Sequence, residues 1–258
     1  MKSPVDGRHT VTGQGPLIDV VEAKSSPHTV RCLQGDGSAL DHGEGGHRFL
    51  LPPVCCSQLH GEQWPTMKLP SADLSDLDRF ALLVVDVQRG FDDAEYWGPR
   101  NNPQCEDNIA ALLAAWRDRS RPVVFVRHDS TEAPSPLRPG QPGNAFKPIV
   151  SGHPDLLVTK QVNSCFHGHP DLDGWLREQQ LDGFVLSGIT TNHCCETTAR
   201  VGGNLGHQVL FALDATHTFD RRAPDGSTVT ADELTRITAT NLHGEFATVV
   251  STAQLLAG

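Results

Sequence analysis

Apolar positions divide the 258-residue chain into two unlike parts. Up to about residue 66 they hold neither a strand period nor a helical one for long. Leu17-Ile18-Asp19-Val20-Val21 and Phe49-Leu50-Leu51 are the short apolar runs there, and glycine and proline are frequent. Such a composition buries too little apolar surface to offset chain entropy, which predicts a poorly ordered extension over 1–66. Met67-Lys68-Leu69-Pro70 has the look of an ordinary protein beginning, so the extension reads as the product of an upstream start choice, ahead of one domain over 67–258. Cys55-Cys56 lies near His42, His47 and His60, without a Cys-x-x-Cys or paired-histidine spacing, and reads as chance clustering rather than a metal site.

From Phe80 the pattern becomes regular. Ala81-Leu82-Leu83-Val84-Val85 is an apolar run ending at Asp86, the form of a strand buried on both faces. Further runs of this type are Pro122–Val126, Leu156–Lys160, Phe184–Gly188, Gln208–Leu213 (followed by Asp214) and Ala247–Val250. Between them, helical spacing appears over Asn108–Arg119, Pro170–Gln179, Asn192–Leu205 and Thr230–Leu242. A Pro/Gly-rich loop covers Ala133–Gly143. Strands alternating with helices predict parallel βαβ units. The expected fold class is α/β: a single doubly wound domain, its mostly parallel six-stranded sheet covered by helices on both faces.

Charge and cysteine content narrow the function classes. A net charge of −10 without a Lys/Arg cluster argues against a nucleic-acid partner. No apolar run approaches the ~20 residues that span a bilayer, and the N-terminus lacks a secretory pattern. Seven cysteines without framework spacing suit free thiols in a reducing cytoplasm. The expected partner is a small-molecule substrate.

Ligands of parallel sheets sit at the carboxyl ends of the strands. There the sequence places Asp86, His128-Asp129, Lys160, the Thr190–Cys194 turn and Asp214. Cys194 falls where a strand gives way to a helix, among N–H groups that have no intrahelical partner. With Lys160 beside it, the thiol is expected to be more acidic than a free one. Asp86 could then act as general base, and backbone N–H groups of the turn could hold an oxyanion. Each residue type has a duller role on its own: a strand-end aspartate caps, a strand-end lysine is solvated, a cysteine is core. Their joint arrival at one rim is what points to covalent acyl transfer on a C–N bond.

Three segments carry a resemblance. Leu83-Val84-Val85-Asp86-Val87-Gln88-Arg89-Gly90-Phe91, then Thr159-Lys160 with Ser164 and Phe166, then Gly188-Ile189-Thr190-Thr191-Asn192-His193-Cys194 are similar to the motifs of the isochorismatase-like cysteine hydrolases. That family includes nicotinamidases and N-carbamoylsarcosine amidohydrolases, and the match runs over about Phe80 to Val250. The resemblance implies a Rossmann-like fold and a catalytic triad of Asp86, Lys160 and Cys194. It also implies a cis peptide between Ile189 and Thr190, an oxyanion hole from the Thr190 and Cys194 N–H groups, and a homo-oligomer. Cys195 is expected to pack against the sheet. Nicotinamidases of the family bind a metal through an Asp-x-His pair; here the sequence reads Arg127-His128-Asp129-Ser130-Thr131, so no metal and no cofactor are expected.

Phe91, Tyr96, Trp97, His128, Phe166, His193 and His217 are candidates to line the substrate pocket, and Arg138 is a candidate carboxylate clamp or cover. Retention of the thiol favours an amide or ureide substrate. Two alternatives stay open: hydrolysis of an isochorismate-like vinyl ether, and a thiol redox or binding role for Cys194-Cys195 without turnover.

Overall fold

A computed structural model describes Leu74 and residues 76–257. The expected extension over 1–66, its apolar runs and the Cys55-Cys56 cluster lie outside the described residues. Strand β1, Phe80–Val85, is buried at every position. Its side chains alternate between two cores: Phe80, Leu82 and Val84 enter one, Ala81, Leu83 and Val85 the other. A strand with two buried faces needs helices on both, which is why its sequence shows no polar alternation.

The remaining strands of the main sheet are β2 (Val123–His128), β3 (Leu156–Lys160), β4 (Gly183–Ile189), β5 (Gln208–His217) and β8 (Thr248–Val250). Their order is β3-β2-β1-β4-β5-β8, and every pairing is parallel. On one face lie α2 (Cys105–Asp118) and α6 (Thr252–Ala257), contributing Ile109, Leu112, Leu113, Trp116 and Leu255 to the core. On the other lie α3 (Leu172–Glu178), α4 (Glu196–Asn204) and α5 (Ala231–Leu242), contributing Leu172, Leu176, Ala199 and Leu242. Trp116 is fully buried, and its indole N–H donates to the Phe80 carbonyl at 3.0 Å, so its polar atom is satisfied inside the core. The α5 start is fixed by a reciprocal cap between Thr230 and Glu233.

The structure departs from the sequence pattern in three places that shape the rim. A short helix α1 (Ala94–Trp97) and a hairpin of β6 (Arg221–Arg222) with β7 (Thr228–Val229) carry too few residues for a readable period. The expected helix over Asn192–Leu205 begins instead as a wide π turn, Thr191–Cys195, before α4. Strand β5 does not stop at Leu213: pairing jumps from Leu186↔Phe211 to Gly188↔Thr216, a bulge after which the strand runs on to His217. Asp214 sits in that bulge, and its carboxylate accepts from the Thr252 N–H and hydroxyl at 2.8 and 2.9 Å. It caps α6 and does not face the rim, which corrects its expected position.

Gly188 is where two strand ends are brought together. Its φ is +135°, and a Cβ there would lie 2.1 Å from the Val85 carbonyl oxygen. Neither the backbone conformation nor the space admits a side chain. A Gly188→Ala variant should therefore unfold at lower temperature, by roughly 1–3 kcal/mol of stability, as measured by thermal melts; an unchanged Tm would show that β1 and β4 can separate.

Candidate active site

The rim is assembled from four neighbouring strands. Asp86 follows β1 directly with φ +52°, and its N–H donates to the Val126 carbonyl at 2.9 Å, so β2 holds it in that turn. Lys160 ends edge strand β3 beside His128 of β2. To reach Asp86 it must cross two strand spacings, about 10 Å between backbones, a span that suits a long unbranched side chain meeting a shorter one. Cys194 comes from the π turn after β4.

These groups meet around one ammonium. Lys160 Nζ lies 2.6 Å from Asp86 Oδ2, 3.2 Å from His128 Nδ1 and 3.4 Å from Cys194 Sγ. The side chains of Lys160 and Asp86 are both fully buried. Removing either member of such a pair strands a charge and typically costs about 3–5 kcal/mol. Burial is the largest single influence and pulls the ammonium toward neutrality, but the Asp86 charge, the neighbouring cysteines and the Asp86 hydrogen bond together outweigh it and hold Lys160 above its usual pKa. Burial, and then the adjacent ammonium, push His128 below its ordinary value. A neutral imidazole accepts the lysine proton at Nδ1.

The thiol does not behave as expected from sequence. Cys194 is buried, and burial followed by the Asp86 charge pushes its pKa well above 9.0, although Lys160 pulls the other way. Two unlike charges fused at 2.6 Å leave little net field at the sulfur, so desolvation wins. The expected acidic thiol is thus corrected to a thiol that is neutral at rest. Asp86 Oδ1 is buried and has no hydrogen-bond partner, and Asp86 offers a carboxylate oxygen within 4.8 Å of the Cys194 sulfur. Cys195 is wholly buried in the core that also holds Ala81, Leu83 and Val85, packed against the sheet as expected.

Above this cluster opens a cavity of about 430 Å³. Asp86, Thr190 and Cys194 lie in its floor, and Phe91, Tyr96, Trp97, His128 and His193 in its wall, where the sequence placed them. Three candidates are elsewhere. Phe166 is pinned beneath the sheet between Phe184 and His207. His217 is fully buried against Phe219 and faces Glu106 at 3.8 Å. Arg138 is exposed and donates to the Ala133 carbonyl; its neighbours Ser135 and Leu137 reach the cavity instead. Sequence reasoning missed Asn163, whose side-chain oxygen lies 3.7 Å from Cys194 Sγ, and the segment Phe219-Asp220-Arg221 on the wall. Ending β5 at Leu213 hid that segment. The Ile189–Thr190 peptide is cis, and the Thr190 N–H donates to no acceptor among the described residues.

The isochorismatase domain model matches residues 80–254. The chain belongs to the isochorismatase family. An isochorismatase family protein of Bacillus subtilis is 38% identical over 180 residues, covering 69% of this chain and 95% of that protein. A crystal structure assigned to the family from Chromobacterium violaceum is 42% identical with a TM-score of 0.66, covering 70% and 93% of the two chains. A nicotinamidase of Arabidopsis thaliana is 30% identical over 193 residues, covering 68% of this chain and 86% of that protein.

Within this isochorismatase domain, Asp86, His128 and Cys194 offer donor atoms within 4.8 Å of one another. A divalent cation does not fit them, because the same three groups already converge on the Lys160 ammonium. Asp129, next along the chain, is engaged by Arg127 and Asn144.

His217 supplies a pH-dependent prediction. Burial pushes it down to about 3, against an unfolded value near 6.5. Unfolding therefore takes up a proton between those values, and the fold loses stability as pH falls below about 6.5. Both ring nitrogens lack partners, so a His217→Leu variant should keep the fold while losing less Tm between about pH 7 and pH 5 than the parent. An identical loss in parent and variant would contradict this source of acid sensitivity.

Proposed function

We propose that the protein is a cysteine-dependent hydrolase that cleaves the C–N bond of a small amide or ureide through a thioester-type intermediate. The observation that carries this reading is the meeting of Asp86 and Cys194 on the floor of one cavity, with the Lys160 ammonium bonded to both from beneath. Family membership supports hydrolysis, and the relative named for nicotinamide supports an amide.

The steps follow from the resting protonation states. The Cys194 sulfur attacks the carbonyl carbon as its proton passes to Asp86, so the neutral thiol and its base act together. The developing oxyanion is held by the Thr190 and Cys194 N–H groups; one such donor typically contributes about 3–4 kcal/mol. As the C–N bond breaks, the proton on Asp86 goes to the departing nitrogen. Water then attacks the thioester carbonyl, giving its proton to Asp86, and the acid product leaves as the thiol is restored. Lys160 stays protonated throughout and keeps Asp86 aligned. A small-molecule substrate and a homo-oligomeric assembly belong to the same proposal.

Two opposed effects in one variant test it. Asp86 raises the thiol pKa by its charge, so Asp86→Asn should make Cys194 more acidic and speed its alkylation by iodoacetamide near pH 8. The same variant should hydrolyse amides about 10²–10⁴-fold more slowly for want of the base. Slower alkylation together with slower turnover would mean that Asp86 creates a standing thiolate, against this mechanism. Lys160→Met, which removes the charge that lowers the thiol pKa, should slow alkylation; an unchanged rate would take the lysine out of thiol activation.

A further inference from the structure

The cavity holds one positive charge that the hydrolytic steps leave unused. Arg221, first residue of β6, stands on its wall and is the one arginine or lysine there among the described residues. Arg79, Arg100, Arg121, Arg127, Arg177 and Arg200 all pair with carboxylates. Arg221 does not: its one side-chain bond runs to His193 Nδ1 at 2.8 Å, and its Nε is buried without a partner. Its neighbour Asp220, also on the wall, is engaged elsewhere, accepting from the Ala231 N–H at 2.8 Å. Glu132 lines the cavity from an exposed position. A partly buried guanidinium without a counter-charge is unfavourable, and one aimed at a ligand cavity is completed by an anion.

The surroundings fix how that anion is met. His193 accepts from Arg221 Nη2, which leaves Nη1 for an anion, and it directly precedes Cys194. Phe91, Trp97 and Phe219 form an aromatic wall, with Trp97 and Phe219 stacked at 5.4 Å. The net charge of −10 gives no long-range attraction for anions, so recognition must act at contact distance.

The geometry points to a substrate that carries a carboxylate beside its scissile amide or ureide, with Arg221 as the carboxylate-binding residue, His193 as its positioning residue, and the aromatic wall against the substrate body. This inference rests on the hydrolase reading for the bond that is cut, but the anion site can be tested without turnover. Benzoate and its neutral counterpart benzyl alcohol are titrated calorimetrically into the full chain. Benzoate should bind the parent and Cys194→Ser alike, and bind Arg221→Leu at least about tenfold more weakly, with Arg221→Lys in between. Benzyl alcohol should not distinguish the variants. Should the leucine variant fail to fold, benzoate should still shield Cys194 of the parent from iodoacetamide better than benzyl alcohol does. Equal benzoate affinity in parent and Arg221→Leu, or no preference for benzoate over benzyl alcohol in either binding or shielding, would overturn the carboxylate site. Failure of the hydrolase reading would show differently, as Cys194→Ser retaining amide turnover.

Discussion

The buried pair between Lys160 and Asp86, 2.6 Å apart with both side chains out of solvent, is the constraint on which the site depends. Neither charge is tolerable there alone, so the ends of β1 and β3 must stay in register across β2. Everything near the thiol inherits that requirement. His128 must be neutral to accept from the ammonium, and the thiol must live beside a field that nearly cancels.

The fold supplies the register. Parallel pairing of β1 with both β2 and β4 puts three strand ends side by side, and Gly188 lets β4 approach β1 at Val85 without a side chain between them. Gln88, buried just past Asp86, donates to the His128 and Asn144 carbonyls and accepts from the His128 N–H. That three-way clasp fixes the β2 end whose imidazole touches Lys160. The aromatic wall and the β6–β7 hairpin then close the cavity from the other side.

Much of this was legible in the chain. Runs of apolar residues ending in a charged one located β1 and β3 and delivered Asp86 and Lys160, because a strand's apolar composition changes abruptly where the chain leaves the sheet at the ligand rim. Neighbours on a helical turn point about 100° apart, so only one of Cys194 and Cys195 could face the rim, and the family resemblance, counted from Gly188, selected Cys194. The bulge in β5 was not legible: bulges depend on the partner strand, so Asp214 passed for a rim residue and Arg221 went unseen. Phe166 and His217 were misplaced because an aromatic ring has the same sequence signature in a core and in a pocket. The protonation state of the thiol was also out of reach. It depends on whether the ammonium and the carboxylate sit closer to each other than to the sulfur, a question of tenths of an ångström.

Ultraviolet absorbance of the thiolate, followed as pH is raised in the parent protein with the Cys194→Ser signal subtracted, measures that state directly. A midpoint above 9.0 is predicted, with a neutral thiol awaiting its base. A midpoint below about 7, the range of thiols held ionised by a neighbouring cation, would contradict it.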